Sequence, residues 1–278
     1  MIVLSTGRAG STLLQKLLNT HPELVIFGEH AGFLNALKAA WLTVARCEWI
    51  PEDEARGRWL LESDRPLNPE RWTAWDGSFS QQDFSRGVRE LLDKLFAERV
   101  GEGRRWGFKE IRYSQTEVLD FLIAIYPEAQ FILLLRDPVD SCVSFASAAV
   151  QNERASLEDY GAWVARFADN QVKPFFLFYQ EAASRLGERA RTVFFERVTA
   201  SPYATVAELG EFLRLGAPFD EAAVAKIARQ DIVSQRKRSP PEQLDGLRKL
   251  ASAVLAAEAG WYADALRATQ REAVGDLP

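Results

Sequence analysis

Apolar residues occur along this chain in two alternating kinds of run. Residues 2–4, 24–27, 131–135 and 192–195 are short, nearly unbroken apolar blocks, the pattern of strands covered on both faces of a parallel sheet. Residues 106–111 add a strand that ends in charge at Lys109 and Glu110. Between these blocks the spacing turns helical. Leu13, Leu14, Leu17 and Leu18 fall on one helix face, as do Val88, Leu91, Leu92, Leu95 and Phe96 in a helix predicted over 86–100. Helices are also predicted over 31–46, 116–125, 138–151, 203–214, 219–230 and, at the end, about 242–269. A long helical stretch opens on the capping-box pattern Ser156-Leu157-Glu158-Asp159 and runs towards Arg185, interrupted near Pro174. Asn19-Thr20-His21-Pro22, Gly101-Glu102-Gly103 and Tyr126-Pro127 supply the stops. Strands alternating with helices predict a single α/β domain over residues 1–278, three-layered, with a mainly parallel central sheet and helices on both faces.

One region breaks this rhythm. From Cys47 to about Ser85 the periodicity degrades, and five of the eight tryptophans lie between Trp41 and Trp75, among prolines and charges. A helical or irregular excursion over about 41–85 follows. Its tryptophans fill a small satellite core or wall an acceptor-binding lid, since pockets combine aromatic walls with a few polar groups.

Composition narrows the function classes. A chain of 278 residues, 47% hydrophobic and 26% charged, has the make-up of a soluble globular protein with an ample core. A net charge of −5 argues against a generally basic nucleic-acid-binding surface, so any anion site must come from a local cluster of Arg and Lys. Cys47 and Cys142 match no metal or redox spacing and read as reduced thiols. The only histidines are His21 and His30, too few for a histidine-rich metal site, and His21 before Pro22 reads as structural. The apolar stretch at Ile2 is far too short for a signal peptide, and no apolar run approaches the ~20 residues of a membrane span. The expectation is a cytoplasmic protein with no membrane span, no metal and no nucleic-acid partner. Its oligomeric state is left open.

Two separated motifs carry the chemistry. After the first strand comes Arg8-Ala9-Gly10-Ser11-Thr12-Leu13, a glycine-containing turn that opens a helix and so presents backbone N–H groups to a phosphate. It lacks the Gly-Lys-Ser/Thr ending of a nucleotide-triphosphatase loop; Arg8 stands as the cation and Ser11 and Thr12 as hydroxyl donors. After the 131–135 strand comes Arg136-Asp137-Pro138, with Asp137 suited to an N-cap, Pro138 to the first helical position, and Ser144 eight residues beyond the arginine. Arginine grips phosphate oxygens through a planar fork, and ligands of open α/β sheets sit at the carboxyl ends of the strands. A donor with two anionic ends needs two anion sites on one such edge. Gly28-Glu29-His30, following the second strand, is expected to face the same crevice.

Together these motifs resemble the sulfotransferases that use 3′-phosphoadenosine 5′-phosphosulfate (PAPS), bacterial-type members with a P-loop-NTPase-like fold and some similarity to protein-tyrosine sulfotransferases. The resemblance is specific over 2–30 and 130–147, weaker over 105–112 and 192–202, and absent from the tryptophan-rich excursion. It implies a cradle for the 5′-phosphosulfate from Arg8, Ala9, Gly10, Ser11, Thr12 and Leu13, with Arg136 and Ser144 holding the 3′-phosphate. Arg236 and Lys237 of the basic loop Arg236-Lys237-Arg238 stand where some members place a further 3′-phosphate contact, a solvated charge run being the equal alternative. The stretch Phe195-Glu196-Arg197 to Ser201-Pro202 resembles an aromatic–acidic segment that is structural in many members. PAPS is then the co-substrate and 3′,5′-adenosine bisphosphate the product, with no metal required. The acceptor is a hydroxyl (or amine) on a small molecule, glycan or peptide.

Sulfuryl transfer also needs a base and a cation near the transferring group. Glu29 is the first choice of base, twenty-one residues after Arg8, an offset similar to that of the catalytic glutamate in protein-tyrosine sulfotransferases. Those enzymes read Gly-Glu-Glu where this chain reads Gly28-Glu29-His30, and aligning on the glycine gives the position to His30 instead. Lys109 is the candidate for the bridging oxygen or developing sulfonate charge, an ordinary strand-end lysine being the alternative, and Arg8 shares that role. Arg112 and Tyr113 read as acceptor-side lining or as plain structure. Two other classes remain open: a P-loop-type phosphotransferase or nucleotide kinase, and a non-catalytic nucleotide-binding module. Against the first, the opening loop lacks the phosphate-cradling lysine and no aspartate-terminated strand is evident for magnesium. As to the second, fold alone never proves activity.

Overall fold

The computed structural model describes residues 1–46, 79–151, 159–238, 241–256, 261–263 and 267. The apolar blocks form five strands: β1 (Ile2–Ser5), β2 (Leu24–Phe27), β3 (Arg105–Glu110), β4 (Phe131–Leu135) and β5 (Ala190–Phe194). They make one sheet in the order β2-β3-β1-β4-β5, and every neighbouring pair is parallel. β1 and β4 are buried along their whole length, which is why their sequences show no alternation. From β1 the chain passes to β2 on one side of the sheet, whereas from β4 it passes to β5 on the other. The crevice at the carboxyl ends of β1 and β4 is therefore the switch point at which open α/β sheets bind ligands.

The chain divides into two compact units, and the first, Met1–Gly32, Val100–Thr116 and Ala129–Pro278, contains the whole sheet. Here α1 (Ser11–Leu18) presses Leu13, Leu14, Leu17 and Leu18 into a core shared with Val3, Ile26, Ile132 and Leu134. Its polar face ties down β2. Gln15 Nε2 donates to the Ile26 carbonyl at 2.9 Å, and Asn19 Oδ1 accepts the Ile26 N–H at 2.7 Å. His21 closes this corner as a structural residue, 1% exposed, with Nε2 2.7 Å from the Ala217 carbonyl and its ring edge-on to Phe219.

The second unit comprises Phe33–Arg99 and Glu117–Glu128. It contains α2 (Leu34–Ala45), α3 (Gln81–Leu95) and most of α4 (Thr116–Ile125). α3 starts earlier than the apolar spacing predicts because Ser80 and Asp83 form a reciprocal capping box. Trp41 donates to Ser85 Oγ at 3.0 Å and lies 5.7 Å from the Phe121 ring, so it serves the unit's own packing. It also lines a groove of about 400 Å³ with Gln81, Gln82, Ser85, Arg86 and Arg89. The other tryptophans of the excursion lie outside the described residues.

The rest of the first unit is helical around β5: α5 (Pro138–Gln151), α6 (Tyr160–Phe167), a π-helical turn (Ala168–Val172), α7 (Lys173–Leu186), α8 (Phe195–Ala200), α9 (Pro202–Leu213), α10 (Glu221–Arg238) and α11 (Pro241–Ala256). Val198, Val206, Leu209, Leu213 and Val224 from α8, α9 and α10 join the core of α1, while α7 packs on β4 and β5. The interruption predicted near Pro174 is the π-helical turn just before it; the proline itself sits in the first turn of α7, where a missing N–H breaks no bond. Residues 156–158 of the predicted capping box lie outside the described residues.

One prediction needs correction. Arg236-Lys237-Arg238 is not a loop but the end of α10. Gln, Arg and Lys are good helix formers, and no breaker appears before Ser239-Pro240. No helix among the described residues is long and apolar enough to cross a membrane.

Candidate active site

The β1–α1 turn is shaped by two left-handed residues, Arg8 at φ 65° and Gly10 at φ 81°. Gly10 has two independent reasons to be glycine: its φ, and the Phe195 ring, which a Cβ there would meet at 2.1 Å. Ala9 and Leu13 turn their side chains into the core, at 0% and 2% exposure, so only their backbone is left to offer a ligand. Ser11 is buried and Thr12 exposed at the start of α1. At Gly7 the side-chain oxygen of Gln171, from the π-helical turn, lies 2.7 Å from where a Cβ would stand, so a side chain there would displace the Gln171 amide.

The two motifs, more than 120 residues apart in sequence, meet at the switch point. Arg136 donates to the Arg8 carbonyl at 2.8 Å (sequence separation 128) and places its guanidinium 4.6 Å from the centre of the Phe195 ring. Arg8 Nε in turn donates to Ser144 Oγ at 3.2 Å. Asp137 caps α5 by accepting the Asp140 N–H at 3.1 Å, and its own N–H goes to Glu196 Oε1 at 3.0 Å. Burial lowers the Arg136 pKa from its ordinary value and raises those of Asp137 and Glu196. The guanidinium still carries its charge at any physiological pH.

A second cluster stands at the ends of β2 and β3. Lys109, paired across the sheet with Val3, has a side chain only 5% exposed, and its ammonium is bound by Glu29. A buried cation needs such a partner. The other Glu29 oxygen is 3.2 Å from Arg112, which also reaches Glu110 at 2.7 Å. His30 points elsewhere: its Nε2 is 2.7 Å from the Tyr113 hydroxyl, and its Nδ1 is 3.7 Å from Glu110. Burial lowers the His30 pKa, opposed by the Glu110 charge and reinforced by Arg112.

A model of the sulfotransferase family matches residues 1–221. The chain belongs to the sulfotransferase family. Nodulation protein NoeE of Sinorhizobium fredii (strain NBRC 101917 / NGR234) is 31% identical over 157 residues, which are 52% of this chain and 30% of that protein. The chain thus spans less than a third of that relative's length. Among solved structures, the sulfotransferase domain of the Synechococcus PCC 7002 olefin synthase aligns with a TM-score of 0.53 at 20% identity, covering 100% of this chain and 94% of that one. That likeness is one of fold, and it agrees with the parallel five-stranded sheet surrounded by helices.

In this chain the predicted residues fall into two groups. Arg8 to Leu13 assemble with Arg136 and Ser144, and Glu29 assembles with Lys109. The side chains of Arg236 and Lys237 lie outside the described residues. Sequence reasoning passed over Glu110 and gave Phe195 and Glu196 no part in the site. Glu110 left no signal of its burial, since it stands beside Lys109 at the charged end of its strand. Phe195 and Glu196 open a helix directly after β5, and only the fold shows that they touch Gly10, Arg136 and Asp137.

Proposed function

We propose that this chain moves a sulfuryl group from PAPS directly onto a hydroxyl or amine of an acceptor, as one sulfotransferase domain of the cytoplasm. The observation that carries the reading is the meeting of Arg8–Ser144 and Arg136–Arg8 at the β1/β4 switch point, beside a strand end that bears a carboxylate–lysine pair. The turn residues 8–13 suit the phosphosulfate, because helix-terminal N–H groups and a cation favour an anion there. Arg136 and Ser144 suit the 3′-phosphate, the guanidinium exchanging the Arg8 carbonyl for phosphate oxygens.

In the reaction so read, Glu29 accepts the acceptor's proton while its oxygen or nitrogen bonds to sulfur. The sulfur–oxygen bond to the 5′-phosphate breaks in line, and 3′,5′-adenosine bisphosphate leaves. Lys109 and Arg8 neutralise the charge growing on the sulfonate and bridging oxygens. Glu29 fits the base better than His30. Its side chain is 31% exposed and next to Lys109, whereas the imidazole is engaged with Tyr113.

The test is ligand-dependent stability. 3′,5′-Adenosine bisphosphate at ~100 times its Kd is expected to stabilise the fold by about 2.7 kcal/mol, ATP with magnesium is not, and Arg136→Ala is expected to lose most of the effect. Stabilisation by ATP with magnesium alone would overturn the reading.

A further inference from the structure

Glu110 has 0% exposure, yet it is a carboxylate and not an apolar residue. Taking such a group out of water is costly unless its lone pairs are met. They are. Oε2 accepts the N–H of Gly32 at 2.9 Å and of His30 at 3.3 Å, while Oε1 accepts the N–H of Ile111 at 2.9 Å and Arg112 at 2.7 Å. Burial pushes its pKa up, but the Ile111 N–H, Arg112 and the Gly32 N–H together hold it below the ordinary carboxylate range. An apolar side chain would fill the same volume without this cost, so the bonds that Glu110 makes are the informative feature.

Three of these four bear on Glu29, the Ile111 N–H being local to Glu110 itself. The N–H groups of His30 and Gly32 belong to the segment that follows Glu29, whose backbone turns through left-handed Ala31 (φ 59°) and Gly32 (φ 70°). Arg112 uses the same nitrogen to reach Glu110 and Glu29. Glu110 therefore anchors both the backbone that presents Glu29 and one of its two cationic neighbours, Lys109 being the other. We propose that Glu110 is a positioning residue for the Glu29 base, fixing the loop that carries it and holding Arg112, the cation that it shares with Glu29. This rests on the assignment of Glu29 in the proposed reaction. The charged and titratable groups around Glu29 are Lys109, Arg112 and Glu110, with His30 and Tyr113 behind them. In a variant without the Glu110 charge, Arg112 bears on Glu29 alone, which favours the ionised form of that carboxylate.

Glu110→Gln keeps the shape and an acceptor oxygen but removes the charge. The expected result is a kcat lower by about 10- to 100-fold, an unchanged KM for the donor, and an acidic limb of kcat/KM moved to lower pH. The carboxyl resonance of Glu29, followed by NMR, should titrate at lower pH in the same variant, whatever its activity. Arg112→Gln, which takes a cation away, should move that titration in the opposite direction and serves if Glu110→Gln does not fold. A Glu29 titration that does not move in Glu110→Gln, or in Arg112→Gln where the first variant does not fold, overturns the proposal even if kcat falls. The two readings fail separately. Full activity in Glu29→Gln overturns the base and, with it, the catalytic part of Glu110. An inactive Glu29→Gln beside an unmoved Glu29 titration overturns the positioning role alone.

Discussion

The two strand-end clusters solve the same problem, holding charge at the edge of a buried sheet, by different means. At β1 and β4 the arginines donate to uncharged groups, a backbone carbonyl and a serine hydroxyl, and Arg136 faces the Phe195 ring, while Asp137, Asp140 and Glu196 act on Arg136 only through their charge. At β2 and β3 the charges neutralise one another in the alternating series Lys109, Glu29, Arg112 and Glu110. The first arrangement brings two guanidinium groups to one turn, which suits an anionic ligand in the proposed reaction. The second is close to neutral and suits proton transfer, where a carboxylate must be held in place without being locked into its ionised form. Under the proposed reaction, affinity for the donor is assigned to the first cluster and turnover to the second.

That division can be broken most sharply at Glu29. Glu29→Gln is expected to lower kcat by about 10²- to 10⁴-fold while binding 3′,5′-adenosine bisphosphate normally in a thermal-shift titration; a variant that loses donor binding instead would merge the two clusters. The converse test is Gly10→Ala. A left-handed alanine costs about 1–2 kcal/mol and its collision with Phe195 about 1–3 kcal/mol more, so chemical denaturation should show the stability loss and donor affinity should fall with it. Unaltered stability and affinity would mean that the tight β1–α1 turn is not what organises this cluster.

The smallest effect is one of pH. His30 has its pKa lowered below the ordinary 6.5 chiefly by burial, so the unfolded chain takes up a proton there before the folded one does. The stability tied to this group is complete above pH 6.5 and is lost as the pH falls through the folded value. Unfolding midpoints measured between pH 7.5 and 5.5 should decline in the parent protein and decline less in His30→Asn. Identical slopes would show that the imidazole is not held neutral against Tyr113 and Glu110. The lowered pKa of Glu110 adds a second loss in the same direction below the ordinary value of 4.5.

How much of this was legible in the linear chain differs between the clusters for a physical reason. Arg8 to Thr12 and Arg136 to Ser144 are short contiguous stretches, so their resemblance to motifs of the sulfotransferase family can be read directly along the chain. The unbroken apolar run of β4 likewise announces a strand covered on both faces, and its observed bounds, Phe131–Leu135, coincide with the run. Glu110 is the opposite case. A charge near a strand end looks like the point where the strand emerges into solvent, and only the neighbouring β2 loop, whose N–H groups close over it, makes it fully buried.

By itself the sequence determined the elements of the sheet and the parallel α/β class, because these depend on local periodicity, and its short stretches at Arg8–Thr12, Glu29 and Arg136–Ser144 carried the family resemblance. Tertiary structure alone decided that Arg136 lies against the Arg8 carbonyl, that Phe195 fills the space a side chain on Gly10 would need, and that Glu110 and Arg112 stand behind Glu29. Those contacts join residues 80 or more positions apart through the order β2-β3-β1-β4-β5. Strand order is set by how helices cross over the sheet and bury their apolar faces, a global packing outcome that no local pattern encodes.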